Sequence, residues 1–205
     1  MYLTKEQASE ILNDTKNSMA EGLIDKTEFM LSILKTDDWS MIIKAHALIE
    51  TIVTELIVAQ TEEEKLKSLI ERLPLSDEQI GKLKITKDYN LLTSEQRTFV
   101  KRFSELRNMI VHKFENINFN LKEHINSLDK NQKKSWLKTI TWYVDDKDTR
   151  EKWEKISTEH PSIGLWYSTM MFVSLTTIKV KELESSTKID KLADETTKTL
   201  LKYDV

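Results

Sequence analysis

The chain has 205 residues, 31 Lys and Arg against 34 Asp and Glu, a net charge of −3, 3 Gly, 2 Pro and no Cys. The missing cysteines exclude disulfides, thiolate zinc sites and cysteine nucleophiles, and they fit a reducing compartment. The slightly acidic balance excludes a broad nucleic-acid-coating surface, which would be strongly basic, but leaves room for local contact to a few phosphates.

Scarce Gly and Pro beside abundant Lys, Glu, Leu and Ile favour long helices joined by few turns, so the expected fold is an all-α multi-helix bundle forming one domain over residues 1–205. The start, Met1 to Glu6, has no long apolar run of the signal-peptide kind, and no window approaches the roughly 20 apolar residues of a membrane helix. A cytoplasmic protein without membrane contact is therefore expected.

In chain order, Thr4 with Gln7 forms a capping-box pattern for a first helix that is expected to end near Gly22. A short helix should follow over 26–35. Asp37 or Asp38 caps the clearest element, a helix to about Gln60 with Trp39, Ile42, His46, Ile49, Val53, Leu56 and Ile57 on one stripe. A helix from Glu62 should stop at Leu73 before Pro74, and Ser76-Asp77-Glu78-Gln79 should open another, running to about Lys87. Ser94 is the expected cap of a helix whose Phe99, Phe103, Leu106 and Ile110 share a face. Asn116 to Asn120 reads as irregular. Later helices are expected over 130–144 and from Pro161 to about Glu184, with 145–148 as a charged turn. The core should span 37–184, leaving 185–205 as a weakly ordered or peripheral tail.

The chemistry-bearing constellation is Arg107-Asn108-Met109-Ile110-Val111-His112. Asn108 and His112 share a helical face, whereas Arg107 lies about 140° from His112 round the axis. Convergence therefore needs the arginine to curl round or the helix to loosen. If it is met, a guanidinium fork suited to a phosphodiester stands beside an imidazole that titrates near neutrality. Asn108 can hold a phosphate oxygen or fix the ring. These groups support attack of a ribose 2′-hydroxyl on its own phosphate with no metal or other cofactor.

Leu106 to His112 resembles the Arg-x4–6-His signature of the HEPN superfamily, which often has a polar residue after the Arg. The resemblance implies an up-down helical bundle with additional C-terminal helices, frequently dimeric. Its activity would be that of a metal-independent endoribonuclease in a toxin–antitoxin or defence setting, with Arg107 and His112 as the catalytic pair and Asn108 as their polar companion. The layout of the central helix, the motif helix, an Asn-rich link ending in Phe119 and a late helix from Leu165 to Leu183 is similar to the mannitol operon repressor-like branch. That likeness implies the alternative, a non-catalytic regulator acting through a protein partner. Arg107 would then be locked in an internal salt bridge with Glu105 or Glu50, and His112 would be buried. The partners implied are an RNA substrate, a second copy of the chain, and an antitoxin or regulatory protein.

His46 and Glu50, four residues apart, are candidate support for Arg107 or His112. The competing reading is a hydrogen-bonded core histidine and a structural ion-pair partner. Lys101, Arg102 and Lys113 flank the motif as candidate RNA contacts. Lys130, Lys133, Lys134 and Lys138 stand among Trp136 and Trp142, a pattern that either stacks bases or is a helix with one core face and one solvated face. His124 and His160 have no matching partner, and no metal-ligand spacing or Gly-rich phosphate loop occurs.

Overall fold

The computed structural model describes residues 5–112 and 114–203, and every regular element among them is helical. No helix among them is long and apolar enough to cross a membrane. Among the described residues nine α-helices follow in order: α1 Lys5–Ile33, α2 Asp38–Thr61, α3 Lys67–Glu71, α4 Lys82–Asp88, α5 Ser94–Val111, α6 Leu121–Ser127, α7 Lys130–Ile140, α8 Lys147–Glu159 and α9 Pro161–Tyr203. Short 3-10 turns occupy Glu64–Leu66 and Phe114–Asn118.

Helix α2 is the axis of the bundle. Its apolar residues come at helical spacing on a wide face, and Met41, Ile42, Ala45, Ile49, Ile52, Val53, Leu56 and Ile57 are all buried. Burying a side chain of that size removes roughly 1.5–3 kcal/mol of exposure cost, so this stripe anchors the fold. Asp37 caps its start by accepting from the Ser40 amide at 2.9 Å, and Glu62 ends it in a left-handed conformation at φ 56°. Helices α1, α3, α4, α5 and α9 pack around it. Asp38 then fastens three elements at one corner, accepting from the Leu121 amide at 2.7 Å and the Ser162 hydroxyl at 2.5 Å.

Several expectations are revised. The first helix does not stop at Gly22 but continues to Ile33, absorbing the short helix expected over 26–35. Gly22 faces Thr177 and Lys181 of α9, whose side-chain carbons would lie 3.6 Å from an added Cβ, an ordinary packing contact that places this turn of α1 against α9. The hydrogen bond Thr15–Ser185 and the bond from Trp166 Nε1 to the Met30 carbonyl show α1 running antiparallel to α9. Thr4, half of the expected capping box, lies outside the described residues. The segment after Pro161 does not end near Glu184: α9 is 43 residues long, and Ala193 within the expected tail is buried.

Two cap assignments also move. Asp77 holds a turn by accepting from the Gln79 and Ile80 amides, and the helix starts only at Lys82, after Gly81. Thr93 rather than Ser94 caps α5, in a full capping box with Gln96. The sequence from Glu62 to Leu73 divides into a 3-10 turn and the short α3.

Candidate functional site

Helix α5 buries Phe99, Phe103, Leu106 and Ile110 and keeps α-helical geometry to Val111. His112 is its C-cap, at φ −84° and ψ −2°, and is exposed. The helix therefore does not loosen ahead of His112. Asn116 closes the end by donating from Nδ2 to the Met109 carbonyl at 3.0 Å, which satisfies one of the carbonyls a helix terminus leaves free.

The arginine side chain does bend along the helix surface. Arg107 is half-buried, and its Nη1 donates to Asn108 Oδ1 at 3.1 Å. Asn108 sits about 100° round the axis from Arg107 and four residues before His112, so this bond leans the guanidinium toward the His112 side of the helix. Among the described residues Arg107 forms no carboxylate ion pair. Glu105 pairs instead with Arg102 at 2.9 Å, and Glu50 with Lys82 at 2.9 Å. The fork and the ring are thus both open to solvent at one helix end.

On the inner side of Arg107, His46 reaches α5 from α2. Its Nε2 shares a 3.1 Å hydrogen bond with Ser104 Oγ, and its ring lies 6.2 Å from that of Phe103. Burial, followed by the nearby Arg107 charge, lowers its pKa to about 4. At neutral pH His46 is therefore uncharged, and it joins α2 to α5 one turn before Arg107. Glu50 is held by Lys82, whose ammonium is almost wholly buried and also donates to the Glu71 carbonyl at 3.3 Å. Glu50 thus fixes α4 rather than reaching Arg107 or His112.

The flanking cations are engaged as well. Lys101 donates to Glu78 at 2.6 Å, and that partner raises its pKa. Arg102 is exposed and holds Glu105. Lys113 lies outside the described residues. His124 is half-buried beside Phe119, with ring centroids 5.6 Å apart, and burial lowers its pKa. Among the described residues no three His, Asp or Glu side chains cluster as metal ligands would.

Sequence reasoning located the motif but not Ser104, Lys82 or Asn116, which hold its surroundings in place. Each is an ordinary polar residue whose role exists only once distant segments meet. Comparison with family models, curated proteins and solved structures finds no match.

Proposed function

We propose that the chain is a metal-independent endoribonuclease of HEPN type, with its cleavage centre at the C-terminal end of α5. The observation carrying this reading is the bond from Arg107 to Asn108, four residues before an exposed His112 on the same helix, with no carboxylate paired to the guanidinium among the described residues.

In the proposed reaction the phosphodiester rests on the Arg107 fork and the Asn108 amide. The ribose 2′-oxygen forms a bond to phosphorus as the bond from phosphorus to the 5′-oxygen breaks. His112 takes the 2′-hydroxyl proton, and Arg107 stabilises the charge gathering on the phosphoryl oxygens. The departing 5′-oxygen needs a proton, and one imidazole serves poorly as both base and acid. Two-fold pairing of two copies presents the same helix end twice and supplies the second imidazole. The products are a 2′,3′-cyclic phosphate and a 5′-hydroxyl.

Supporting this reading over the regulator alternative, Glu105 and Glu50 are taken up by Arg102 and Lys82, and His112 is exposed. The test is to incubate the purified protein with end-labelled RNA in EDTA. Cleavage leaving cyclic phosphate ends is expected. Intact RNA in the presence of folded protein would favour the regulator, acting through a protein partner.

A further inference from the structure

Helices α5 and α7 run antiparallel, with two cavities of about 290 and 270 Å³ between them. Met109 lines one of these with Leu128 and Gln132, so the start of α7 stands beside the last turns of α5. Trp136, Leu137 and Ile140 of α7 pack on the core. The helix therefore has one core face and one solvated face, and the solvated face carries charge that the fold does not use.

Lys130, Lys134 and Lys138 are exposed and fall at steps of four, forming a line about 12 Å long at the helical rise. Lys84, Lys101, Lys179 and Lys181 on other helices are each paired with a carboxylate. Among the described residues no lysine of α7 forms such a pair. Asp129, the one acid within 124–144, is committed to the helix cap, accepting from the Asn131 and Gln132 amides at 2.8 and 2.9 Å. Lys133 donates to the Asn126 carbonyl at 3.0 Å. Nothing in the helix itself favours this arrangement. Like charges four residues apart repel, and Lys130 opens the first turn, where the helix dipole disfavours a cation. An anion laid along the line relieves both.

The shape of the charge selects among anions. Glu95 and Glu105 of α5 border α7 across the cavities, so the positive strip is about one helix wide. A bilayer surface calls for apolar side chains to bury beside the lysines, whereas the exposed residues between them are Asn131 and Ser135, which can hydrogen-bond phosphate oxygens. From these observations we infer that the outer face of α7 holds the backbone of single-stranded RNA, with Lys130, Lys134 and Lys138 each neutralising a phosphate. The inference rests on reading the end of α5, beside which the strip begins, as an RNA-cleaving centre.

Each phosphate neutralised on a single strand releases about 0.7 of a counterion, so the strip is readable in the salt dependence of binding. The probe is a fluorescent 2′-O-methyl RNA, which lacks the attacking hydroxyl and stays intact, titrated from about 0.05 to 0.2 M salt. With Lys130→Gln, Lys134→Gln and Lys138→Gln combined, the slope of log affinity against log salt should be shallower by about 2, and affinity at low salt at least about tenfold weaker. Arginine at the same three positions should keep the parent slope, because the charge stays. Lys188→Gln, Lys191→Gln and Lys198→Gln combined, on exposed positions late in α9, remove equal charge elsewhere and should leave the slope as it is. All variants are compared at equal helical circular dichroism. Equal losses in the two glutamine triples, an unchanged slope in the α7 triple, or no binding by the parent would overturn the strip. Capture of anionic phospholipid vesicles or of a polyglutamate peptide through the α7 lysines, with RNA binding unaffected by their loss, would overturn it too. Strand binding through α7 without cleavage of ordinary RNA would retain the strip and remove the nuclease. Cleavage by the α7 triple with the parent's dependence on RNA concentration would do the reverse.

Discussion

Lys82 and Glu50 show how unequal the two halves of one ion pair can be. The lysine side chain is 1% exposed and the glutamate 39%. Removing the glutamate strands a buried ammonium, whereas removing the lysine leaves a carboxylate that water can reach. Glu50→Ala should therefore cost about 3 kcal/mol, while Lys82→Met should stay within about 1 kcal/mol of the parent, both read by urea unfolding. His46 gives a second test. Its folded pKa of about 4 lies below the ordinary 6.5, so between those values the unfolded chain binds the extra proton. Stability should fall as pH drops from about 6.5 to 4, with a His46 contribution of about 3 kcal/mol, and His46→Gln should lack that component. The places of Arg107, Asn108 and His112 on one helix were legible in the sequence because local helical spacing sets them. The His46–Ser104 and Glu50–Lys82 pairs join residues 58 and 32 apart, and no local pattern announces them.

At the scale of elements, strong apolar periodicity identified α2 and α5, the two helices joined by the His46–Ser104 hydrogen bond beside the candidate site. The misreadings cluster where packing overrules a local signal. Gly22 resembles a stop, yet α9 lies against it and the helix runs on; Ser185-Ser186-Thr187 resembles a frayed end, yet Ser185 bonds Thr15 of α1. Thr93 and Ser94 are both good caps, and Gln96 selects Thr93 because only that residue stands three before it. Gly164, in the first turn of α9, is a further case of tertiary demand. A Cβ there would lie 2.3 Å from Ser157 Oγ and 2.7 Å from Ser157 Cβ on α8, and Ser157 is itself buried. Gly164→Ala gains helix propensity of about 1 kcal/mol but forces α8 and α9 apart. A net loss of about 1–2 kcal/mol is expected, measured as a lower urea midpoint with unchanged slope.

In the whole molecule, α2 packs against both α9 and α5, and Phe99 of α5 meets Phe172 of α9 at 5.8 Å between ring centroids, so the three helices brace one another around a shared core. The bundle class followed from composition, because a chain so poor in Gly and Pro has few other ways to bury its apolar residues. The cavities between α5 and α7 did not follow, since they exist only when residues 94–109 and 128–142 lie side by side. A fold of this kind hosts many activities, so function has to be decided at the end of α5. The most direct measurement is the rate of RNA cleavage in EDTA by the parent and by His112→Ala, at matched concentrations of protein with identical helical circular dichroism. Loss of at least about a hundredfold, the contribution of a proton-transferring side chain, is expected. Equal rates from the two proteins would contradict the account.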